Sequence, residues 1–189
     1  MLQMKEKILI GADLGFASIG ISVCHIKDDV VIPILMQVIR TKKSEIGSVS
    51  EDNMRRARLI YKELKTVLDK YKNNERIMFV EAQSASRDAS AAAKTAMAWG
   101  VLAALAEDNK FEVIQTSPQK IKKVLCGKNS ASKEEVEEAL RKIFPNIDFD
   151  ALLKLNKIPK GLYEHAFDSL GAMVSGLLTK GIDLRNIQG

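Results

Sequence analysis

Two apolar, strand-like runs in this chain each end in a carboxylate, and that pairing restricts its fold more than any other feature. Ile8-Leu9-Ile10-Gly11-Ala12 runs into Asp13, with Gly15 and Gly20 close behind, and Met78-Phe79-Val80 runs into Glu81. Runs this apolar belong to strands covered on both faces, as in sheets sandwiched between helices. A carboxylate at the end of such a strand is costly to desolvate unless something compensates its charge. A third acid, Asp168, lies in an apolar C-terminal segment with helical spacing. Three carboxylates on separate elements beside core segments suggest a shared divalent cation site, and hence phosphate chemistry.

The remaining elements follow from periodicity and punctuation. Residues 7–13, 18–26 and 30–39 read as an antiparallel meander with a turn at Lys27-Asp28-Asp29. Ser50 is placed to cap a helix running to about Tyr71, with Ala57, Ile60, Leu64, Val67, Leu68 and Tyr71 on one face. Residues 77–81 form a fourth strand and 111–115 a fifth, separated by an alanine-rich helix ending near Asp108. Ser117-Pro118 opens a short helix, and Ser132 with Glu135 makes a capping box ahead of Val136, Ala139, Leu140, Ile143 and Phe144. Residues 145–161 read as a long connection, followed by a last helix over about 162–179 with Leu170, Val174 and Leu177 inward. The order β-β-β-α-β-α-β-α-α-α predicts an α/β fold, a five-stranded mixed sheet with helices on both faces. It forms a single domain over residues 1–189. Strands one and four lie side by side in it, bringing Asp13 and Glu81 together at one sheet edge.

Composition adds boundaries rather than a direction. A net charge of +5, from 29 basic against 24 acidic residues, is compatible with a polyanionic partner and equally with a generic basic protein. Cys24 and Cys126 sit in apolar stretches with no metal-type spacing, and read as free thiols of a reducing compartment. Lys5 and Lys7 precede an apolar stretch, but Asp13 interrupts it and no clean cleavage site follows. No run reaches the ~18 apolar residues of a membrane span. The expectation is a cytoplasmic protein with no membrane partner.

His165 and Asp168 are three residues apart and share a helical face, which Glu164 can join. Asp13, Glu81 and Asp168 supply the hard oxygen ligands that Mg²⁺ or Mn²⁺ prefers. His165 serves either as a further ligand or as a proton-transfer group. Taken singly, a strand-end aspartate is more often a turn or cap residue, and a His-x-x-Asp pair is usually a surface hydrogen bond. Their combination in this element order favours the cation site, with two ions able to activate a water and stabilise a departing 3′-oxygen. Residues 117–133 hold Lys120, Lys122, Lys123, Lys128 and Lys133 and no acid, which is either a solvated surface or a DNA contact.

At this point the chain resembles the RuvC type of Holliday-junction resolvases, within the ribonuclease H-like nucleases. Gly11-Ala12-Asp13-Leu14-Gly15 with Gly20 resembles the opening G-x-D-x-G…G signature. Val80-Glu81-Ala82-Gln83 resembles the second acidic strand, and His165-Ala166-Phe167-Asp168 the closing [DH]-x-x-D helix. Lys122 to Gly127 and Ser130 to Lys133 resemble the basic segment before the capped helix, so the likeness is collinear and nearly full length. It implies a metal-binding catalytic set of Asp13, Glu81, His165 and Asp168, with Lys122 and Lys133 near the scissile phosphate. It further implies a homodimer making paired symmetric nicks in four-way DNA junctions, with Mg²⁺ or Mn²⁺ as cofactor and two ions expected.

Two departures from that pattern stand out. Where the cellular enzymes carry an aromatic after the second acid, this chain has Gln83-Ser84-Ala85-Ser86-Arg87, leaving Arg87 to stack or bind phosphate. The connection 145–161, with Lys154, Lys157 and Lys160, is long for the family and reads as a variable loop or a contact to DNA arms. Both fit a phage-encoded or otherwise divergent member acting in its host's cytoplasm. Trp99 suits core or dimer interface, while Arg55, Arg56 and Arg58 are expected to be solvated. Competing readings are a nuclease of flaps or forks, a catalytically silent DNA-binding module and an actin-like ATPase fragment. The last shares the Asp-x-Gly loop but lacks a second glycine-rich phosphate loop.

Overall fold

The computed structural model describes residues 7–27, 30–45, 47–83 and 88–181. Its elements are β1 (Lys7–Leu14), β2 (Ser18–Lys27), β3 (Val30–Arg40), α1 (Val49–Lys70), β4 (Glu75–Glu81), α2 (Ala89–Asn109), β5 (Glu112–Thr116), α3 (Pro118–Cys126), α4 (Lys133–Ile143), α5 (Phe149–Leu155) and α6 (Tyr163–Thr179). A 3₁₀ turn over Lys160–Leu162 leads into α6. The strands form one sheet in the order β3-β2-β1-β4-β5. β1, β2 and β3 pair antiparallel as the meander predicts, and β1, β4 and β5 run parallel.

β1 is the central strand, which explains why its sequence is apolar on both faces. Ile8, Ile10, Ala12 and Leu14 enter the core shared with α1 and α2, whereas Leu9 enters the core shared with α4, α5 and α6. Two helical layers therefore cover the sheet, as expected for the α/β class. The predicted inner face of α1 is buried at Ala57, Ile60, Leu64, Val67 and Leu68.

The structure corrects the sequence reading at several points. α1 is capped by Ser48, not Ser50. The Ser48 hydroxyl accepts from the Glu51 amide while the Glu51 carboxylate accepts from the Ser48 amide at 2.7 Å, closing a capping box. The stretch 145–161 is not simply a loop, since it contains α5, capped by the Asp148 carboxylate accepting from the Ala151 amide at 2.9 Å. Seven residues are too few for helical periodicity to show, and it is burial of Phe149 between Phe144 and Phe167 that holds the helix in place.

Of the three arginines of α1, Arg56 is buried rather than solvated. Its guanidinium lies 4.4 Å from the centroid of the Phe16 ring, and its Nε donates to Thr41 Oγ1 at 2.9 Å. Arg55 pairs with Asp52 at 2.6 Å, and Arg58 is exposed as expected. Trp99 is half-buried against the α1–α2 core. The expectation that no segment has the length and apolarity of a membrane span also needs correction. By those measures α2 is long and apolar enough. Its apolarity comes from alanine, and its inner residues Ala98, Leu102 and Leu105 are buried in the core.

Candidate active site

β1 and β4 are neighbours and parallel, so their C-terminal ends lie at the same sheet edge with Asp13 and Glu81 on them. α6 brings His165 and Asp168 to the same place by lying almost directly on β1 and β2. A β-carbon on Gly20 would occupy the position of the His165 carbonyl, and one on Gly11 the position of the Ser169 carbonyl. Gly20 is itself the partner of Asp13 across the β1–β2 ladder. The two glycines thus allow an approach that any side chain would block.

The lysines arrive through capped helices. Ser117 accepts from the Lys120 amide and Pro118 opens α3, whose Ile121 is buried, so that Lys122 is turned toward the sheet edge. Ser132 caps α4 in a capping box with Glu135, placing Lys133 at the first helical position. Asp13, Glu81, His165, Asp168, Lys122 and Lys133 then line one cavity of about 370 Å³, closed by Pro118, Ile121 and Val136.

Not every expected residue joins them. Lys120 and Lys123 are exposed on α3 outside the cavity, and Lys128 pairs with Glu135. Arg87 lies outside the described residues. Glu164, which shares the face of α6, pairs with the Lys133 ammonium, a partnership that no local sequence signal identifies because the two are 31 residues apart.

The electrostatics of the cavity are those of crowded negative charge. Burial, followed by the charges of Asp13 and Asp168, raises the Glu81 carboxyl to about 8, with Lys133 and Lys122 opposing the rise. Burial and then Asp13 raise Asp168 to about 6. His165 Nδ1 lies 2.7 Å from Asp13 Oδ2, and because a carboxylate only accepts, the imidazole is the donor. That bond holds the His165 pKa above its ordinary value, against the effect of burial. Nε2 remains for a ligand or a proton, with Glu164 Oε1 4.0 Å away. Burial disfavours charge on Lys133, but its bond to Glu164 and the nearby acids outweigh this and raise its pKa.

Three carboxylates and an imidazole are a donor set suited to a hard divalent cation, and the elevated Glu81 and Asp168 mark negative charge that such an ion would neutralise. Among the described residues, no three of these donors are already drawn together around a single point. Asp13 is turned to His165 instead, and the remaining carboxylates repel one another.

Comparison with known proteins identifies the family. The family described as Crossover junction endodeoxyribonuclease RuvC matches residues 9–170. A RuvC of that description from Natranaerobius thermophilus is 29% identical over 81% of this chain and 84% of its own length. One from Cytophaga hutchinsonii is 28% identical over 97% of this chain and 82% of its own. Among solved structures, Thermus thermophilus RuvC in complex with a Holliday junction substrate superposes with a TM-score of 0.68 at 23% identity, covering 93% of this chain and 97% of that one. The yeast mitochondrial Holliday junction resolvase does so at 0.62 and 16% identity, covering 94% and 81%. At such identities the superpositions show a common fold, a mixed sheet with helices on both faces as the element order predicts. The match over residues 9–170 includes Asp13, Glu81, Lys122, Lys133, His165 and Asp168, and by it the chain belongs to the RuvC family of crossover junction endodeoxyribonucleases.

Proposed function

We propose that this protein is a metal-dependent endonuclease that resolves four-way DNA junctions by paired nicks, with Asp13, Glu81, His165, Asp168, Lys122 and Lys133 as its working residues. One observation carries the assignment of the site. Six side chains from β1, β4, α3, α4 and α6 converge on one cavity at the edge of the sheet. Membership of the family carries the reaction and the junction as substrate.

Asp13, Glu81, Asp168 and the Nε2 of His165 would hold the metal, Mg²⁺ or Mn²⁺, with two ions as the expected number. When bound, such ions supply Lewis acidity and a water acidic enough to attack at neutral pH. The chain's own residues do the rest. The Asp13 carboxylate orients the His165 ring by accepting from Nδ1–H. Lys122 and Lys133 present positive charge where the phosphorane develops. Ile121 and Val136 close the cavity on its apolar side and limit water near the reacting phosphate. In-line attack then leaves a 5′-phosphate and a 3′-hydroxyl. Two cuts related by a two-fold axis need two such sites, so a symmetric homodimer is the working unit.

The test is cleavage of an end-labelled mobile four-way junction beside flap and linear duplex, in Mg²⁺, Mn²⁺ or EDTA. Symmetric nicks in the junction alone, absent in EDTA, are expected. Tight binding with no cleavage in either metal would instead make the fold a binding module.

A further inference from the structure

A second cavity, of about 580 Å³, is larger than the catalytic one and shares no lining residue with it. It lies between the β3–α1 segment and the starts of α1 and α2, with Lys43 and Asn53 on one wall and Lys94 on the other. Buried Arg56 links it to the catalytic strand. This residue lines the cavity while its Nη2 donates to the Phe16 carbonyl at 3.4 Å. Phe16 follows Asp13 by three residues, so about 10 Å of chain at most separates the catalytic carboxylate from this contact.

The charges in the second cavity are unequally committed. Asp52 is occupied by Arg55, Arg56 and the Ser44 amide. At the helix starts, the Ser48 hydroxyl accepts from the Glu51 amide and the Asp88 carboxylate from the Ser90 and Ala91 amides. Lys43 and Lys94 have no ion-pair partner among the described residues, in contrast to Lys128, paired with Glu135, and Lys133, paired with Glu164. Glu45 is the one acid on the wall without such a commitment among the described residues. Two uncommitted cations on the wall of one cavity, linked through Arg56 and Phe16 to the end of the strand that carries Asp13, match a polyanion that continues past the proposed cleavage site.

We propose that this second cavity holds the phosphodiester backbone of the DNA strand a few nucleotides from the scissile bond, through Lys43 and Lys94. The contact is independent of base sequence and of metal, and it positions an arm of the junction across the sheet edge. The inference rests on the DNA-cleaving function proposed above.

Its test is junction binding by fluorescence anisotropy in EDTA, between 50 and 200 mM salt, for the Lys43→Ala/Lys94→Ala variant of the full chain. A Lys70→Ala/Lys72→Ala variant, altered at the far end of α1, loses the same net charge and serves as reference. Removing one lysine–phosphate interaction lowers the slope of log K against log salt by about 0.9, so the cavity variant should lose nearly 2 and the reference almost nothing. The fall in affinity across that salt range then becomes roughly ten-fold smaller than for the unaltered protein. Equal slopes in the two variants would overturn this inference and leave the nuclease reading intact. An unaltered protein that neither prefers junctions nor nicks them with metal would remove the reading beneath it.

Discussion

Gly20 and His165 are in closest approach: the backbone carbonyl of His165 fills the space where a β-carbon of Gly20 would stand. Because Gly20 pairs with Asp13 across the ladder, this one packing relationship sets the distance between the carboxylate of β1 and the imidazole of α6. Gly20→Ala must push α6 away from β2 or bend the strand. Overpacking of this kind costs about 1–3 kcal/mol, and a displacement near 1 Å at the reacting groups costs about 10²-fold in rate. Junction cleavage should fall by that order while binding in EDTA changes little. A fully active Gly20→Ala protein would show that α6 does not need this approach.

Asp13→Asn should abolish cleavage and preserve or tighten junction binding. The substitution removes one negative charge from a cavity that already crowds three carboxylates, easing the approach of phosphate. The expected loss is at least ~10²-fold in the cleavage rate, corresponding to several kcal/mol of charge stabilisation. Single-turnover cleavage and a binding titration in EDTA together decide it, and wild-type cleavage would place the active site elsewhere.

The raised carboxyls make stability depend on pH in a specific direction. Glu81 moves from an ordinary 4.5 to about 8 and Asp168 from 3.8 to about 6. Between the unfolded and folded values the native state holds the proton and the unfolded state has lost it. Stability is therefore full below about pH 4 and declines as pH rises toward 8. His165, also raised, contributes in the same sense. The metal-free protein should lose several °C of melting temperature between pH 5 and 8, and Mn²⁺ should restore more at pH 8 than at pH 5. Glu81→Gln should flatten the profile above pH 6. A melting temperature that climbs over this interval in EDTA would contradict the burial of these acids.

Arg56→Met tests the corrected reading of the first long helix. Arg56 stacks on Phe16 and serves Thr41, whose own hydroxyl is bonded to the Phe16 carbonyl. Methionine fills much of the volume but leaves these acceptors short of a donor, at about 2 kcal/mol. The melting temperature should drop by roughly 4–8 °C. No change on thermal unfolding would mean that the arginine is solvated after all.

Lys133 and Glu164 are both substantially exposed, and such pairs contribute at most about 1 kcal/mol. Glu164→Gln should leave the melting temperature within roughly 2 °C. Lys133→Ala should lower the cleavage rate by about 10²-fold with a small effect on binding, since its charge acts where the phosphorane develops. Equal losses in binding and cleavage would assign Lys133 to DNA affinity instead.

Much of this architecture follows from local chemistry. The two-faced apolarity of residues 8–12 required a central strand, and Ser132 with Glu135 announced α4 because a capping box is closed by residues three apart. Asp13 and Glu81 were legible because a carboxylate at the end of a buried strand stands out against its own neighbours, and His165 and Asp168 because residues three apart share a helical face. What the sequence could not specify depends on residues distant in the chain. The helical state of residues 149–155 is decided by Phe149 packing between Phe144 and Phe167, and the burial of Arg56 by Thr41 and Phe16, fifteen and forty positions away. The pairing of Lys133 with Glu164, and the cavity that joins β1, β4, α3, α4 and α6, exist only once α6 lies on Gly11 and Gly20. Local patterns select elements because hydrogen bonds and caps are short-ranged. Charge compensation and packing arise when the sheet and helices close on one another, and those were decided by the tertiary structure alone.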